Sequence, residues 1–396
     1  MNRPTGQRLK PSRRSEVASF IAMDVLGEAN RLEAEGRRIL HLEVGQPGTP
    51  APRMVRERAR RALDVERLGY TDALGIPPLR ARISRHYAET YGLDVPSERI
   101  AVTTGSSGGF ILSFLAGFDV GARVALPTPG YPAYRNILTT LGLEAVPLRV
   151  GEATRWAPTP AMIHAQQKKG PIDGLLVASP ANPTGTMLTT AVLEEVVELC
   201  AGEGIWFISD EIYHGLTYDR PAETALRFSD DVIVINSFSK YYSMTGWRVG
   251  WMVLPERLVR PVERLAQNLF ISVPALSQLA AVAAFEATDE LEANRAAYAK
   301  NRDFLLRALP EVGLGDFLPM DGAFYAYVDV SRHTNDSMDF AKRLLRETGV
   351  AVTPGLDFDP ENGNRYVRLS FAGPPEDIEE AVRRIGEWLQ RFGLRA

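Results

Sequence analysis

The stretch DVIVINSFSKYYSMTGWRVGWMVL, residues 231–254, holds two apolar runs of strand length on either side of a polar segment. Lys240 lies in that segment, with two serines just before it and Arg248 eight residues after it. A primary amine at the end of a strand can attack an aldehyde cofactor, and hydroxyls together with a guanidinium suit a phosphate. A lone lysine is more often a solvated surface charge, so this interpretation depends on the rest of the chain.

Similar apolar runs recur through the middle of the chain at intervals that leave room for helices. They are IAVTT from residue 100, RVALP from 123, DGLLVASP from 173, GIWFISD from 204, DVIVINS from 231 and GWMVL from 250. Near-continuous apolar runs are typical of strands buried on both faces, and their alternation with helical segments indicates a parallel sheet. The sequence therefore predicts a large α/β domain with a mostly parallel sheet flanked by helices.

Past about residue 285 the pattern changes to long helical stretches with fewer strands, FYAYVDV from 324 and YVRLSF from 366. The last stretch has an apolar stripe at helical spacing, formed by Ile378, Val382, Ile385, Trp388, Leu389 and Phe392. We expect a smaller α+β domain here, with the active site between the two domains. The predicted division is an N-terminal arm (1–14), a first part of the small domain (15–45), the large domain (46–285) and the C-terminal small domain (286–396).

The 396-residue chain has the composition of an ordinary globular protein, with 45% hydrophobic and 24% charged residues, and its length suits about two domains. The formal net charge of −4 gives no reason to expect nucleic acid or an anionic membrane as a partner. No apolar stretch approaches the roughly 20 residues of a membrane span. Its single cysteine, Cys200, excludes an internal disulfide and a multi-cysteine metal site. We expect a cytoplasmic protein without a bound metal.

The first fourteen residues carry basic side chains and no acid, namely Arg3, Arg8, Lys10, Arg13 and Arg14. A targeting segment has this charge, but no apolar core is present, and Pro4 and Pro11 interrupt an amphipathic helix. The alternatives are an arm that is flexible or clasps a partner, which we favour, and a transit peptide.

Polar side chains follow three of the apolar runs, at the points where the predicted strands end. Asn182 follows the run from 173, Asp210 ends the run from 204 with Tyr213 three residues later, and Lys240 follows the run from 231. The intervals of 28 residues from 182 to 210 and 30 residues from 210 to 240 each suit one βαβ crossover. Ligands of open parallel sheets bind beyond the carboxyl ends of the strands, so we expect these side chains to converge at one crevice.

A small-residue segment follows the run from 100, before the apolar and helix-like FILSFLAGF. Backbone amides that open a helix after a strand can bind an anion, and the helix dipole adds to the attraction. Glycine-rich turns are mostly only turns, but serines and an arginine near the lysine would complete a phosphate site. The segment is Gly105-Ser106-Ser107-Gly108-Gly109, and the added residues are Ser237, Ser239 and Arg248.

Together these motifs resemble fold-type I pyridoxal-phosphate enzymes of the class I and II aminotransferase family. The matching pieces keep the family's order from roughly residue 30 to 390, and the set is specific although each motif alone is weak. The resemblance implies an aspartate aminotransferase-like fold, a seven-stranded sheet in the large domain and pyridoxal 5′-phosphate as cofactor. The pieces are VGQPGTP (from 44), YTDALGIPPLR (70), TTGSSG (103), PTPGYPAY (127), ASPANPTGT (178), SDEIYHGLTY (209), NSFSKYYSMTGWRVG (236) and YVRLSF (366).

The resemblance also implies a role for each matching residue around the cofactor ring. Lys240 would form the internal aldimine and later move the proton between the substrate Cα and the cofactor. Asp210 would pair with the protonated pyridine nitrogen and keep the ring an electron sink. Tyr213 and Asn182 would hydrogen-bond the ring oxygen, and Tyr131 would stack on the ring.

Further roles implied by the resemblance concern the phosphate and the substrate. Tyr70 would reach the phosphate from the neighbouring subunit, which requires at least a homodimer. Arg368 would bind the substrate α-carboxylate through two parallel hydrogen bonds, beside Asn182, and Gly45 would let the backbone approach the same carboxylate. Within one subunit the phosphate would be held by Gly105, Ser106, Ser107, Ser237, Ser239 and Arg248.

The implied activity is transfer of an amino group from an L-amino acid to a 2-oxo acid by a ping-pong mechanism, as part of amino acid metabolism and biosynthesis. A first alternative is a pyridoxal-phosphate-dependent C–S (β) lyase, because the same fold serves elimination. A second is a non-catalytic effector-binding domain. We favour it least, because fewer than about 45 residues precede VGQPG, too few for a winged helix with a linker.

The substrate is left open by the sequence. Dicarboxylate-specific relatives carry an arginine near the position of Asn268, and the bacterial aspartate branch carries a lysine where this chain has Ser107. Because this sequence has neither of these basic residues to bind a side-chain carboxylate, aspartate specificity is not predicted. Alanine, aromatic, branched and other neutral amino acids with 2-oxoglutarate all remain candidates.

Overall fold

The computed structural model describes residues 9–391. Arg3, Pro4, Arg8 and Phe392, which the sequence analysis singled out, lie outside the described residues. The helices are α1 (Ile21–Ala34), α2 (Arg53–Val65), α3 (Pro77–Tyr91), α4 (Gly105–Gly117), α5 (Pro132–Leu141), α6 (Pro160–Lys169), α7 (Thr190–Glu203), α8 (Glu256–Leu269), α9 (Ala275–Ala284), α10 (Thr288–Glu311), α11 (Ser337–Thr348) and α12 (Pro375–Arg391).

The strands include the predicted runs and several shorter pieces. They are β1 (Leu40–His41), β2 (Ile100–Thr103), β3 (Arg123–Thr128), β4 (Glu144–Arg149), β5 (Gly174–Ala178), β6 (Trp206–Asp210), β7 (Ile233–Ser237), β8 (Gly250–Val253), β9 (Tyr325–Asp329), β10 (Val350–Ala351), β11 (Thr353–Pro354) and β12 (Tyr366–Ser370). None of the helices in residues 9–391 combines the length and the apolar composition of a bilayer-spanning segment.

The large sheet has seven strands in the order β2-β8-β7-β6-β5-β3-β4. Adjacent strands from β7 to β4 are parallel, whereas β8 is antiparallel to both β2 and β7. The prediction of a mostly parallel, seven-stranded sheet flanked by helices is therefore confirmed. The antiparallel direction of β8 is a feature that its apolar run did not indicate.

Both faces of the central strands are buried. Leu175 and Val234 belong to one apolar cluster, whereas their neighbours Leu176, Ile233 and Ile235 belong to a second cluster on the opposite face. Side chains alternate across a strand, so consecutive apolar residues need helices on both faces of the sheet. Burial on both faces is the physical reason why the sequences of these strands are continuous apolar runs.

The edge strand β4 was not recognised in the sequence. Val146 and Leu148 are buried, whereas Glu144, Pro147 and Arg149 are exposed. An edge strand with one solvent-exposed face alternates between apolar and polar residues. Proline is tolerated there because an edge strand has no neighbour on one side to accept a backbone hydrogen bond. Because β4 contains no continuous apolar run, its sequence pattern did not predict a strand.

The C-terminal part of the chain forms a smaller α+β unit, as predicted. Strands β11, β12 and β9 make an antiparallel sheet in that order, and α10, α11 and α12 supply helices around it. The described part of the predicted stripe on α12, from Ile378 to Leu389, is buried against this unit. The N-terminal segment packs here too, since β1 pairs in parallel with β10.

Candidate active site

One cavity lies beyond the carboxyl ends of β5, β6 and β7. These strands are neighbours in the sheet, with Ala178 opposite Asp210 and Asp210 opposite Ile235. The chain continues from these ends to Asn182 and Lys240, and both line the cavity. The predicted residues that the structure brings together here are Gly45, Ser106, Ser107, Tyr131, Asn182, Asp210, Tyr213, Ser239, Lys240, Arg248 and Arg368.

Three other predicted residues do not line this cavity. Gly105 opens α4 immediately behind it, and the Ser237 hydroxyl donates to Ser239 Oγ at 2.9 Å and to the Val249 carbonyl at 3.2 Å. Ser237 therefore orients a serine that does line the cavity. Tyr70 lies on the surface and is 85% exposed, so within one subunit it does not reach the site.

Asp210 lies at the bottom of the cavity and is almost fully buried. Its Oδ2 accepts a hydrogen bond from the Tyr134 hydroxyl, and its Oδ1 accepts one from the Ile212 amide at 3.1 Å. Burial raises the pKa of Asp210 to about 6, although both hydrogen bonds and the charge of Lys240 oppose the shift. Within residues 9–391 no cation lies in direct ion-pair contact with Asp210, so this buried carboxylate has room for a cationic partner in the cavity.

The Lys240 amine projects into the same cavity, where its Nζ donates to the carbonyl of Gly45. Burial lowers the pKa of Lys240 to about 8, and the nearby charges of Arg368 and Arg248 act in the same direction. A lowered pKa increases the fraction of neutral amine near neutral pH, and the neutral amine is the nucleophilic form. The environment of Lys240 therefore suits attack on a carbonyl carbon.

Ser106 and Ser107 at the start of α4 and the Arg248 guanidinium line one end of the cavity. Thr104, which precedes the helix, makes no side-chain hydrogen bond to its amides, so the first-turn amides at Ser106 and Ser107 have no such partner. A Cβ on Gly105 would lie only 2.4 Å from Arg248 Nη2. Glycine at this position, where φ is +70°, lets the guanidinium pack against the start of the helix.

At the other end of the cavity the Arg368 guanidinium is fully buried and held on several sides. Its Nη1 donates to Asn182 Oδ1 at 2.9 Å, and its Nη2 donates to the carbonyl of Glu43. Its central carbon lies 4.4 Å from the ring centroid of Tyr325 and 4.8 Å from that of Phe358. The Nε has no hydrogen-bond partner among the described residues. An oriented guanidinium that lines the cavity suits a substrate carboxylate.

Gly45 is required by the packing of Tyr325. A Cβ at this position would lie 1.9 Å from the Tyr325 hydroxyl oxygen, which hydrogen-bonds the Tyr213 hydroxyl at 2.7 Å. We expect Gly45→Ala to lower kcat/KM by about 100-fold, because displacement of the order of an ångström at a reacting centre has an effect of that size. Steady-state kinetics on purified variants measures the loss.

The matched control is Gly202→Ala on α7, where an added Cβ meets nothing within 4 Å. This variant should retain wild-type kinetics. Adding Tyr325→Phe to Gly45→Ala removes the closest atom and should recover part of the loss. Wild-type kcat/KM in Gly45→Ala would contradict the packing argument.

Sequence reasoning missed several residues that surround the reactive groups. Tyr134, which binds Asp210, is three residues from Tyr131 in PTPGYPAY, and helical spacing of three was the available signal. Tyr325 belongs to an apolar run with no local feature to distinguish it. Phe20 and Met23 at the start of α1 also line the cavity, and only the tertiary fold brings them there.

The donors and acceptors of this cavity fit pyridoxal phosphate. Asp210 is a buried carboxylate without a direct ion-pair partner among the described residues and suits a protonated ring nitrogen. The α4 amides, hydroxyls and Arg248 suit a phosphate dianion, and the half-buried ring of Tyr131 forms an aromatic wall. The amine of Lys240 is then available for the aldehyde.

Comparison with known proteins agrees with this chemistry. The family described as aminotransferase class I and II matches residues 37–385. A valine–pyruvate aminotransferase of Mycobacterium tuberculosis is 49% identical, over 95% of this chain and 97% of its own length. The chain therefore belongs to the class I and II aminotransferase family.

Two solved structures resemble the whole fold. A crystal structure of an aminotransferase from Mycobacterium tuberculosis has a TM-score of 0.95 at 47% identity and covers 97% of this chain and 100% of its own. The aspartate aminotransferase from Thermus thermophilus with maleate has a TM-score of 0.91 at 30% identity and covers 96% and 100%. The chain is a pyridoxal-phosphate-dependent enzyme that transfers an amino group from an amino acid to a 2-oxo acid. Neither the lyase nor the effector-binding alternative is favoured.

Proposed function

We propose that this aminotransferase takes a neutral L-amino acid with an apolar side chain, such as valine, as its amino donor. The observation that carries the proposal is the charge of the cavity. Among the described lining residues the cations are Lys240, Arg248 and Arg368, and each of them is assigned to the cofactor or to the α-carboxylate. Residues 9–391 therefore leave no further cation in the lining for a second carboxylate of the substrate.

Other parts of the lining support the same donor class. Phe20, Ala22 and Ile212 contribute apolar surface. The similarity to a valine–pyruvate aminotransferase supports a branched donor and, in the second half of the cycle, pyruvate as an acceptor.

Each residue has a separate task in this proposal. Pyridoxal phosphate, when bound, supplies the electron sink for deprotonation at the substrate Cα. Asp210 balances the positive charge on the ring nitrogen, and Arg248 with Ser239 anchors the phosphate. Arg368 orients the substrate through its α-carboxylate. Lys240 would hold the cofactor through its amine and, as a free amine, would accept and pass on the proton that leaves the substrate Cα.

We also propose that the enzyme works as a homodimer and that Tyr70 enters the site of the second copy. The Thr71 amide donates to Ser272 Oγ at 3.4 Å and so joins the segment of the exposed Tyr70 to the segment that carries the exposed Leu269 and Ile271. Exposed apolar residues next to a tyrosine suit a subunit interface. Light scattering that gives a monomer at enzymatic concentrations would contradict this part.

A cytoplasmic location remains a further proposal, supported by the single cysteine.

The visible absorption spectrum of the holoenzyme tests the donor class. Addition of L-valine without any oxo acid should bleach the yellow band and release one equivalent of 2-oxo acid for each site. L-Aspartate is the matched control because it carries a second carboxylate, and it should react far more slowly. Fast bleaching by L-aspartate and none by L-valine would contradict the proposal. Release of ammonia with pyruvate from a β-substituted amino acid would indicate a lyase.

A further inference from the structure

The start of α1 is capped by an acid from the other end of the chain. Asp357 Oδ1 accepts a hydrogen bond from the Ile21 amide at 3.1 Å, and its Oδ2 accepts one from the Ala22 amide at 3.1 Å. Phe20, the residue before the helix, makes no side-chain hydrogen bond to these amides. A carboxylate at a helix N-terminus satisfies the free amides and interacts favourably with the helix dipole. Asp357 therefore fixes where α1 begins.

The turn that Asp357 holds is part of the cavity wall. Phe20, Ala22 and Met23 all line the cavity. The Phe20 ring also meets the Tyr131 ring edge to face, with 5.6 Å between the centroids. α1 packs against β11, in which Thr353 pairs with Arg368. The turn thus borders the end of the cavity that holds the carboxylate-binding guanidinium.

The same short segment contacts two other parts of the site. The Asp357 carbonyl accepts a hydrogen bond from Arg135 on α5, the helix that follows Tyr131. The next residue, Phe358, places its ring 4.8 Å from the central carbon of Arg368. Asp357 is itself fully buried. One segment therefore sets the distance between the apolar turn of α1 and the group that binds the α-carboxylate.

We propose that Asp357 is a positioning residue for substrate specificity, which holds the first turn of α1 against the side chain of the amino donor. The proposal rests on the function proposed above, because it requires a donor whose apolar side chain reaches Phe20, Ala22 and Met23. Loss of the cap leaves the phosphate and ring-nitrogen contacts intact, since Asp357 contacts none of the groups assigned to them. The effect should grow with the size of the donor side chain.

The test compares Asp357→Ala with Asp359→Asn in the holoenzyme. Asp359 is also buried but accepts hydrogen bonds from the amides of its own loop, at Glu361 (2.9 Å) and Asn362 (3.0 Å), and not from α1. For Asp357→Ala we expect KM for L-valine to rise about 10-fold, which is the scale of a lost helix cap. KM for L-alanine should rise less, because its methyl group extends less far. The visible spectrum and the cofactor dissociation constant should stay as in the wild type.

Hydrogen exchange on the same samples provides a readout that does not depend on turnover. The amides of Ile21 and Ala22 should exchange faster in Asp357→Ala than in Asp359→Asn. An unchanged ratio of valine to alanine kcat/KM in Asp357→Ala, with an active wild type, would overturn this inference alone. A wild type that uses neither donor would instead overturn the proposed function, and the exchange data would still report whether Asp357 holds α1.

Discussion

Lys240→Ala is expected to lower kcat at least about 10⁴-fold, because the variant loses both the nucleophile and the group that moves the proton at Cα. Lys240 is the cavity-lining amine, and its surroundings lower its pKa to about 8. No other lysine lines the cavity among the described residues. Single-turnover measurements with L-valine, followed by absorbance, give the rate of the half-reaction directly.

The control is Lys300→Ala, which removes an exposed lysine on α10 and should leave the rate unchanged. A small primary amine such as methylamine, added to Lys240→Ala, should restore part of the proton transfer without restoring the covalent link. Transamination by Lys240→Ala at the wild-type rate would show that the reactive amine lies elsewhere.

Asp210→Asn is expected to lower kcat by about 10²- to 10³-fold, the usual effect of removing one preorganised electrostatic group from a buried site. Asparagine keeps the shape and the hydrogen bond from the Ile212 amide, but it has no charge to stabilise a protonated ring nitrogen. The measurement is kcat for L-valine, together with the visible spectrum of the bound cofactor. Full activity in this variant would contradict the assigned role.

Glu211→Gln is the matched control, because Glu211 is the neighbouring residue and is equally buried. It does not line the cavity, and its Oε1 accepts hydrogen bonds from Ser209, Thr224 and the Ala225 amide. Burial raises the pKa of Glu211 to about 8, so this carboxyl is mainly protonated at neutral pH and glutamine resembles it. The variant should retain nearly full activity. An equal loss in both variants would mean that the effect is structural.

The convergence of Asn182, Asp210 and Lys240 could be predicted because two regularities coincide. Buried parallel strands read as continuous apolar runs, and the carboxyl ends of parallel strands meet at one edge of the sheet. Polar residues directly after such runs therefore have a predictable position. Arg368 could not be predicted in this way. Only the resemblance of the surrounding YVRLSF to the family distinguished it from the many other arginines of the chain.

The sequence did not predict the direction of one strand or the contacts between segments that are distant in the chain. An apolar run looks the same whichever way the strand points in the sheet, so nothing in GWMVL indicated that β8 is antiparallel. Tyr325 and Phe20 acquire their positions from packing across the fold, and an aromatic residue in an apolar context carries no local sign of that. Ser237 was predicted to hold the phosphate, and this stays a prediction; the structure shows its hydroxyl bound to Ser239, which lines the cavity. Strand alternation alone could not distinguish these two serines.

The cap on α1 has a consequence for how the protein is made. The partners of α1 and β1 are Asp357 and β10, which the ribosome synthesises roughly 300 residues later. At about 5 to 20 residues per second this interval lasts roughly 15 to 60 s. During that time the large sheet can assemble, whereas the nascent N-terminal segment has an apolar face without its native partner. The emerging chain is then most open to chaperones and to aggregation at its beginning, and completion of the active-site wall is one of the last events of folding.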